Sequence, residues 1–157
     1  MSKSPPAESQ PTAVVTEDSI VRLVDHFYSK VRRDAVLAKV FETAIAADEW
    51  PEHLATMQRF WSSVMLTSGR YSGNPVAVHR AVRGLERSMF PRWLALFEQS
   101  ARELFTPETA TLFVDKAQRI ATSLQLAVFH RLDGPPDGLL PPRRSGGSGT
   151  VRRGACG

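Results

Sequence analysis

The chain reads as an all-α domain. Three observations say so. Apolar residues recur at i, i+3 and i+4 in segment after segment, the spacing of one helix face. Several of those segments open on a capping residue, two of them with a proline in the next position. No stretch alternates with period two, so nothing reads as a half-buried strand.

Thr16 caps the first helix, and Glu17 and Asp18 suit its positive N-terminal end. Ile20, Leu23, Val24, Phe27, Tyr28 and Val31 form its buried stripe, which predicts a helix to about Arg33. Residues 37–45 form a short, mixed segment whose largest apolar group is Phe41. Asp48 is the expected cap of the next helix, and Pro51 is tolerated in its first turn. Trp50, Leu54, Met57, Phe60, Trp61 and Val64 make its stripe, and His53 lies on the same face. The turn cluster "TSGRYSGNP", residues 67–75, ends it. Asn74-Pro75 restarts a short helix with Val76, His79 and Val82 on one face and Gly84 to stop it. Phe90, Trp93, Leu94, Phe97 and Leu104 mark another helix. "TPET", residues 106–109, then opens a last one with Ala110, Phe113, Val114, Ala117, Ile120, Ala121 and Leu124 inward, ending near Arg131.

Both ends look unable to fold. Residues 1–15 are rich in Pro, Ser and Thr without periodicity, and residues 133–157 are mostly Pro, Gly and Arg. The expected folded unit is 16–132. The formal charge is +4, from 20 Lys and Arg against 16 Asp and Glu. The C-terminal segment contributes part of that excess, with Arg143, Arg144, Arg152 and Arg153 against Asp133 and Asp137. The remaining domain is too mildly basic for a nucleic-acid partner, which needs cations clustered on one face. The single cysteine, Cys156, can form no internal disulfide and fits a reducing compartment. No apolar run approaches the ~20 residues of a membrane span. A cytoplasmic protein without membrane or nucleic-acid partners is therefore expected.

No nucleophile elbow, phosphate loop or His-Glu-x-x-His helix is present. The informative residues are polar groups set in apolar stripes: Tyr28, His53, His79 and Trp93. Singly, each reads as a core residue spending its polar atom on a backbone carbonyl. His26 and His130 look ordinary. Together, two inward imidazoles on different helices amid aromatic and Met side chains suit a pocket for a flat apolar cofactor such as haem. Haem requires one axial imidazole, an apolar slot and donors on the other side.

At these residues the chain resembles the group III truncated haemoglobins, a bacterial globin family. The resemblance spans about 17–128. It rests, in order, on "FYSKVRRD" (27–34), "VFETAI" (40–45), "EWPEHLATMQRFWSSVML" (49–66), "GRYSGNPVAVH" (69–79), "FPRWLALFEQS" (90–100) and "RIATSL" (119–124). It implies a two-over-two helical sandwich around haem b, with His79 as the protein ligand of the iron. Tyr28, His53 and Trp93 would face the small ligand, with Met57 near the iron. Phe41 and Phe60 would pack on the haem, and Arg70 and Tyr71 would meet its propionates.

The chain departs from the family pattern in three places. Pro and Gly are missing after "RRD", Pro is missing from "RAVRGLERSMF", and Met89 stands where a His commonly precedes the Phe at 90. The implied activity is binding of dioxygen, nitric oxide or carbon monoxide, as in oxygen transport, or redox chemistry on nitric oxide or peroxide served by a reductase. Whether the protein turns over as an enzyme stays open. The rival reading is a non-haem helical interaction module with His53 and His79 in its core.

Overall fold

The computed structural model describes residues 10–132. Its elements are α1 (Glu17–Val31), α2 (Leu37–Ala44), a 3-10 turn (Ala47–Glu49), α3 (Trp50–Leu66), α4 (Pro75–Arg80), α5 (Met89–Leu104) and α6 (Pro107–Leu132). The pair α1–α3 lies on the pair α5–α6, the two-over-two sandwich that the resemblance implies. Contacts of α1 with α3 and α5, and of α5 with α6, carry the core, while α4 rests on α6. Among the described residues, no helix is long and apolar enough to cross a membrane.

The expected caps hold at three helices. Thr16 Oγ1 accepts from the Ser19 N–H at 3.0 Å, and Ser19 Oγ accepts in return from the Thr16 N–H at 2.8 Å. Asn74 Oδ1 accepts from the Ala77 N–H at 3.0 Å and fixes where α4 begins. Thr106 Oγ1 accepts from the Thr109 N–H at 3.4 Å at the start of α6. Asp48 does not cap α3. It sits inside the 3-10 turn that runs straight into the helix, so no extended capping position exists there. The Glu49 carboxylate reaches back to the Ala46 N–H instead, at 2.9 Å. The helix expected through Val82 stops at Arg80, and Gly84 turns the chain further on with φ +81°.

The core is aromatic and continuous across the layers. Trp61 of α3 stacks on Phe97 of α5, centroids 4.9 Å apart and planes within 15°. Trp93 stacks on the same Phe97 at 5.6 Å and 7°. Phe27 meets Trp93 and Phe97 edge-on at 5.4 and 5.3 Å. Ile20, Leu23, Phe113 and Ala117 are sealed from solvent around this stack.

The composition of residues 1–15 predicts an unfolded segment, yet Thr12 and Ala13 are tied down. Thr12 N–H donates to Leu104 O at 2.8 Å, and Thr106 N–H donates to Thr12 O at 3.0 Å. Arg22 donates to Thr12 Oγ1 at 3.0 Å, and Thr109 Oγ1 donates to Ala13 O at 2.7 Å. Local periodicity carries no signal for such a strap, because every partner lies ten or more residues away. The expectations for residues 1–9, for 133–157 with Cys156, and for the His130 side chain lie outside the described residues.

Candidate functional site

A cavity of about 680 Å³ opens between α2, α3, α4 and the ends of α5 and α6. That volume lies within the ~300–1,000 Å³ of sites that take a cofactor or drug-sized ligand. Tyr28, Phe41, His53, Met57, Phe60, Tyr71, His79 and Trp93 all line it. Of the residues singled out in the sequence, Arg70 does not. Its guanidinium donates to Glu17 Oε1 at 2.6 Å.

His79 sits on the short α4, in a fixed orientation. Its Nδ1 is 2.7 Å from Pro75 O. A carbonyl can only accept, so Nδ1 carries the proton, and in the neutral ring the Nε2 lone pair is left free. The ring therefore offers one nitrogen to the cavity while the other is held, the arrangement of a metal-binding imidazole with its outer hydrogen bond. Among the described residues no group of three or more His, Cys, Asp or Glu could hold a metal ion.

On α1 and α3 the cavity wall is a cluster of rings. Tyr28 meets His53 edge-on at 5.0 Å, Phe41 at 5.8 Å and Trp50 at 6.0 Å. Tyr28 is 5% exposed, and burial drives its phenol pKa upward, so it stays a protonated donor. The Tyr28 hydroxyl and the Trp93 ring N–H are both donors carried by side chains that line the cavity. His53 Nε2 is buried and, among the described residues, has no hydrogen-bond partner. Leaving such a nitrogen without a partner costs roughly 1–3 kcal/mol. A packed core has no reason to retain such an imidazole, and the His53 side chain also lines the cavity.

Burial, and then the charge of nearby His79, lower the His53 pKa from 6.5 to about 4. The unfolded chain thus binds a proton that the folded one refuses between those values. The sign follows directly: stability of the cofactor-free protein falls as pH drops from 6.5 toward 4. His53→Leu should remove that share of the acid sensitivity and leave stability at pH 8 unchanged or raised, since no partner is orphaned. Urea titrations of both proteins at pH 5 and pH 8 measure this. An equal pH slope in the two would show that His53 is not the group responsible.

Reading the sequence missed Arg83, Leu85 and Met89 as cavity residues, and left Phe90, Ile120 and Leu124 in the core. Arg83 lies in the turn beyond the end of α4 at Arg80, where helical spacing from His79 carries no signal. Ile120 and Leu124 belong to one continuous apolar stripe, which periodicity cannot divide between core and cavity. His26 is a surface residue whose Nε2 lies 2.6 Å from Glu103 Oε1.

A two-over-two helical sandwich, with an apolar cavity lined by one held imidazole and by aromatic donors, is a globin-type architecture. The comparisons agree. Group 3 truncated hemoglobin ctb of Campylobacter jejuni is 34% identical over 117 residues, covering 73% of this chain and 92% of that protein. The crystal structure of the group III truncated hemoglobin from Campylobacter jejuni matches with a TM-score of 0.72 at 32% identity. That match covers 76% of this chain and 95% of the other. No protein-family model matches. The chain belongs to the group III truncated haemoglobins.

Proposed function

We propose that the protein binds haem b through His79 and takes dioxygen and other diatomic ligands, nitric oxide and carbon monoxide among them, at the iron. The single observation that carries this reading is the His79 ring, fixed by Pro75 O with its second nitrogen free beside a large apolar cavity. A haem bound there supplies a ferrous centre for small ligands. The chain's own residues do the rest. Phe41, Met57 and Phe60 give the porphyrin apolar surface. Arg83 and Tyr71, both on the cavity, suit its carboxylates. Arg83 fills the place that the resemblance implies for Arg70, whose guanidinium is paired with Glu17. Tyr28 O–H and Trp93 N–H donate toward the ligand, with His53 beside them.

Donors in a water-poor site bind a partly negative ligand strongly. Three polar groups around the ligand therefore favour slow dioxygen release. That suits redox chemistry on nitric oxide or peroxide, with a reductase as partner, better than transport. Titration of the cofactor-free protein with haem tests the reading. A Soret band that saturates at one haem per chain, with distinct ferric, ferrous, oxy and nitrosyl spectra, is the expected result. Absence of a Soret band would return the chain to the non-haem interaction module.

A further inference from the structure

Residues 67–74 join α3 to α4, and one side chain of that loop, Tyr71, lines the cavity. Three separate contacts set its place. Its backbone N–H donates to Ser63 Oγ at 2.8 Å. Its ring meets Phe60 edge-on, centroids 5.1 Å apart. The ring also lies across the backbone of Gly73. A Cβ there would stand 2.6 Å from Tyr71 Cζ and 2.9 Å from Cε1, and nearer still to the hydroxyl oxygen. Gly73 is outside the left-handed region, so backbone freedom does not explain the glycine. Room for the Tyr71 ring does.

The residues just before Tyr71 are clamped from α1. Glu17 uses both carboxylate oxygens: Oε1 accepts from the Arg70 guanidinium at 2.6 Å and Oε2 from the Ser62 hydroxyl at 2.7 Å. Ser62 is fully buried, and its oxygen lies 2.7 Å from Ser68 Oγ. Ser62 spends its one proton on the carboxylate, so the Ser68 hydroxyl donates to Ser62. The loop is thus pinned at Ser68, Arg70 and Tyr71 in succession. Burial raises the Tyr71 pKa, which keeps the phenol a neutral donor.

We propose that Gly73 is a positioning residue, and that with the Glu17–Ser62–Arg70 clamp it holds the Tyr71 phenol to donate to a carboxylate at the edge of the bound cofactor. The donor role rests on the haem reading above. The positioning role does not. The atoms that a Gly73 Cβ would meet are the far end of a flexible side chain, so Gly73→Ala expels the phenol without breaking the fold.

Haem transfer from the holoprotein to excess apomyoglobin measures the donor. Tyr71→Phe and Gly73→Ala should each speed haem loss about tenfold, the effect of losing one hydrogen bond to a charged group. Gly73→Ala added to Tyr71→Phe should add far less than it does alone, because the donor is already gone. Melting of the cofactor-free protein should be the same for wild type and Gly73→Ala. Haem loss at the wild-type rate in Tyr71→Phe would overturn the donor role. The chain has two tyrosines, so fluorotyrosine labelling gives two fluorine NMR signals in the haem-free protein. Gly73→Ala should move the one that Tyr71→Phe removes, and an unmoved signal would overturn the positioning. If the wild type takes up no haem, the haem reading and the donor role fail together, and the fluorine signal still decides the place of Gly73.

Discussion

His79→Gly is expected to abolish most haem affinity, and free imidazole to restore part of it. α4 has six residues and buries none of them, so removing this ring opens no void in the core. The fold should survive, and the loss should fall on the cofactor. The loss should exceed the roughly 10–100-fold that follows removal of a mere outer-shell partner of a metal ligand, because the metal's own protein bond goes. Added imidazole can occupy the space vacated and supply the missing nitrogen, without the Pro75 carbonyl to orient it as firmly. Haem titration and ferrous spectra, with and without imidazole, give the answer. A wild-type ferrous spectrum in the glycine variant would remove His79 from the iron and leave His53 as the next candidate.

Tyr28→Phe should speed dioxygen release by about 10–100-fold, the weight of one hydrogen bond of roughly 1.5–3 kcal/mol to a partly charged partner. The change deletes only an oxygen. The ring contacts with Phe27, Phe41, Trp50 and His53 remain, so the fold has little to lose. Trp93→Phe is the matching test on α5. It removes the N–H and keeps an aromatic ring over Phe97, where Trp93→Leu would also break the stack. Stopped-flow displacement of dioxygen by carbon monoxide reads both rates. Release at wild-type speed in both variants would mean that these donors do not govern the ligand, and the argument for redox chemistry over transport would lose its basis.

Much of this molecule is local, and local order is what a sequence carries. Thr16, Asn74-Pro75 and Thr106-Pro107 mark helix starts because a capping oxygen and a fixed φ act within one turn. The stripes of α1, α3, α5 and α6 follow from 3.6-residue periodicity. His79 was legible as an inward imidazole for the same reason, and the ordered motifs from "FYSKVRRD" to "RIATSL" pointed to the family. What the tertiary structure alone decided is which partner each group finds. Arg70 and Glu17 are 53 positions apart, and their pairing takes Arg70 off the cavity. Thr12 finds its backbone partners at Leu104 and Thr106 across the chain. Ile120 and Leu124 carry the same periodic signal as Phe113, yet they line the cavity while Phe113 is sealed in the core. Helix geometry determines the face a residue presents, but only the packing of helices against one another determines whether that face meets another side chain or an empty space.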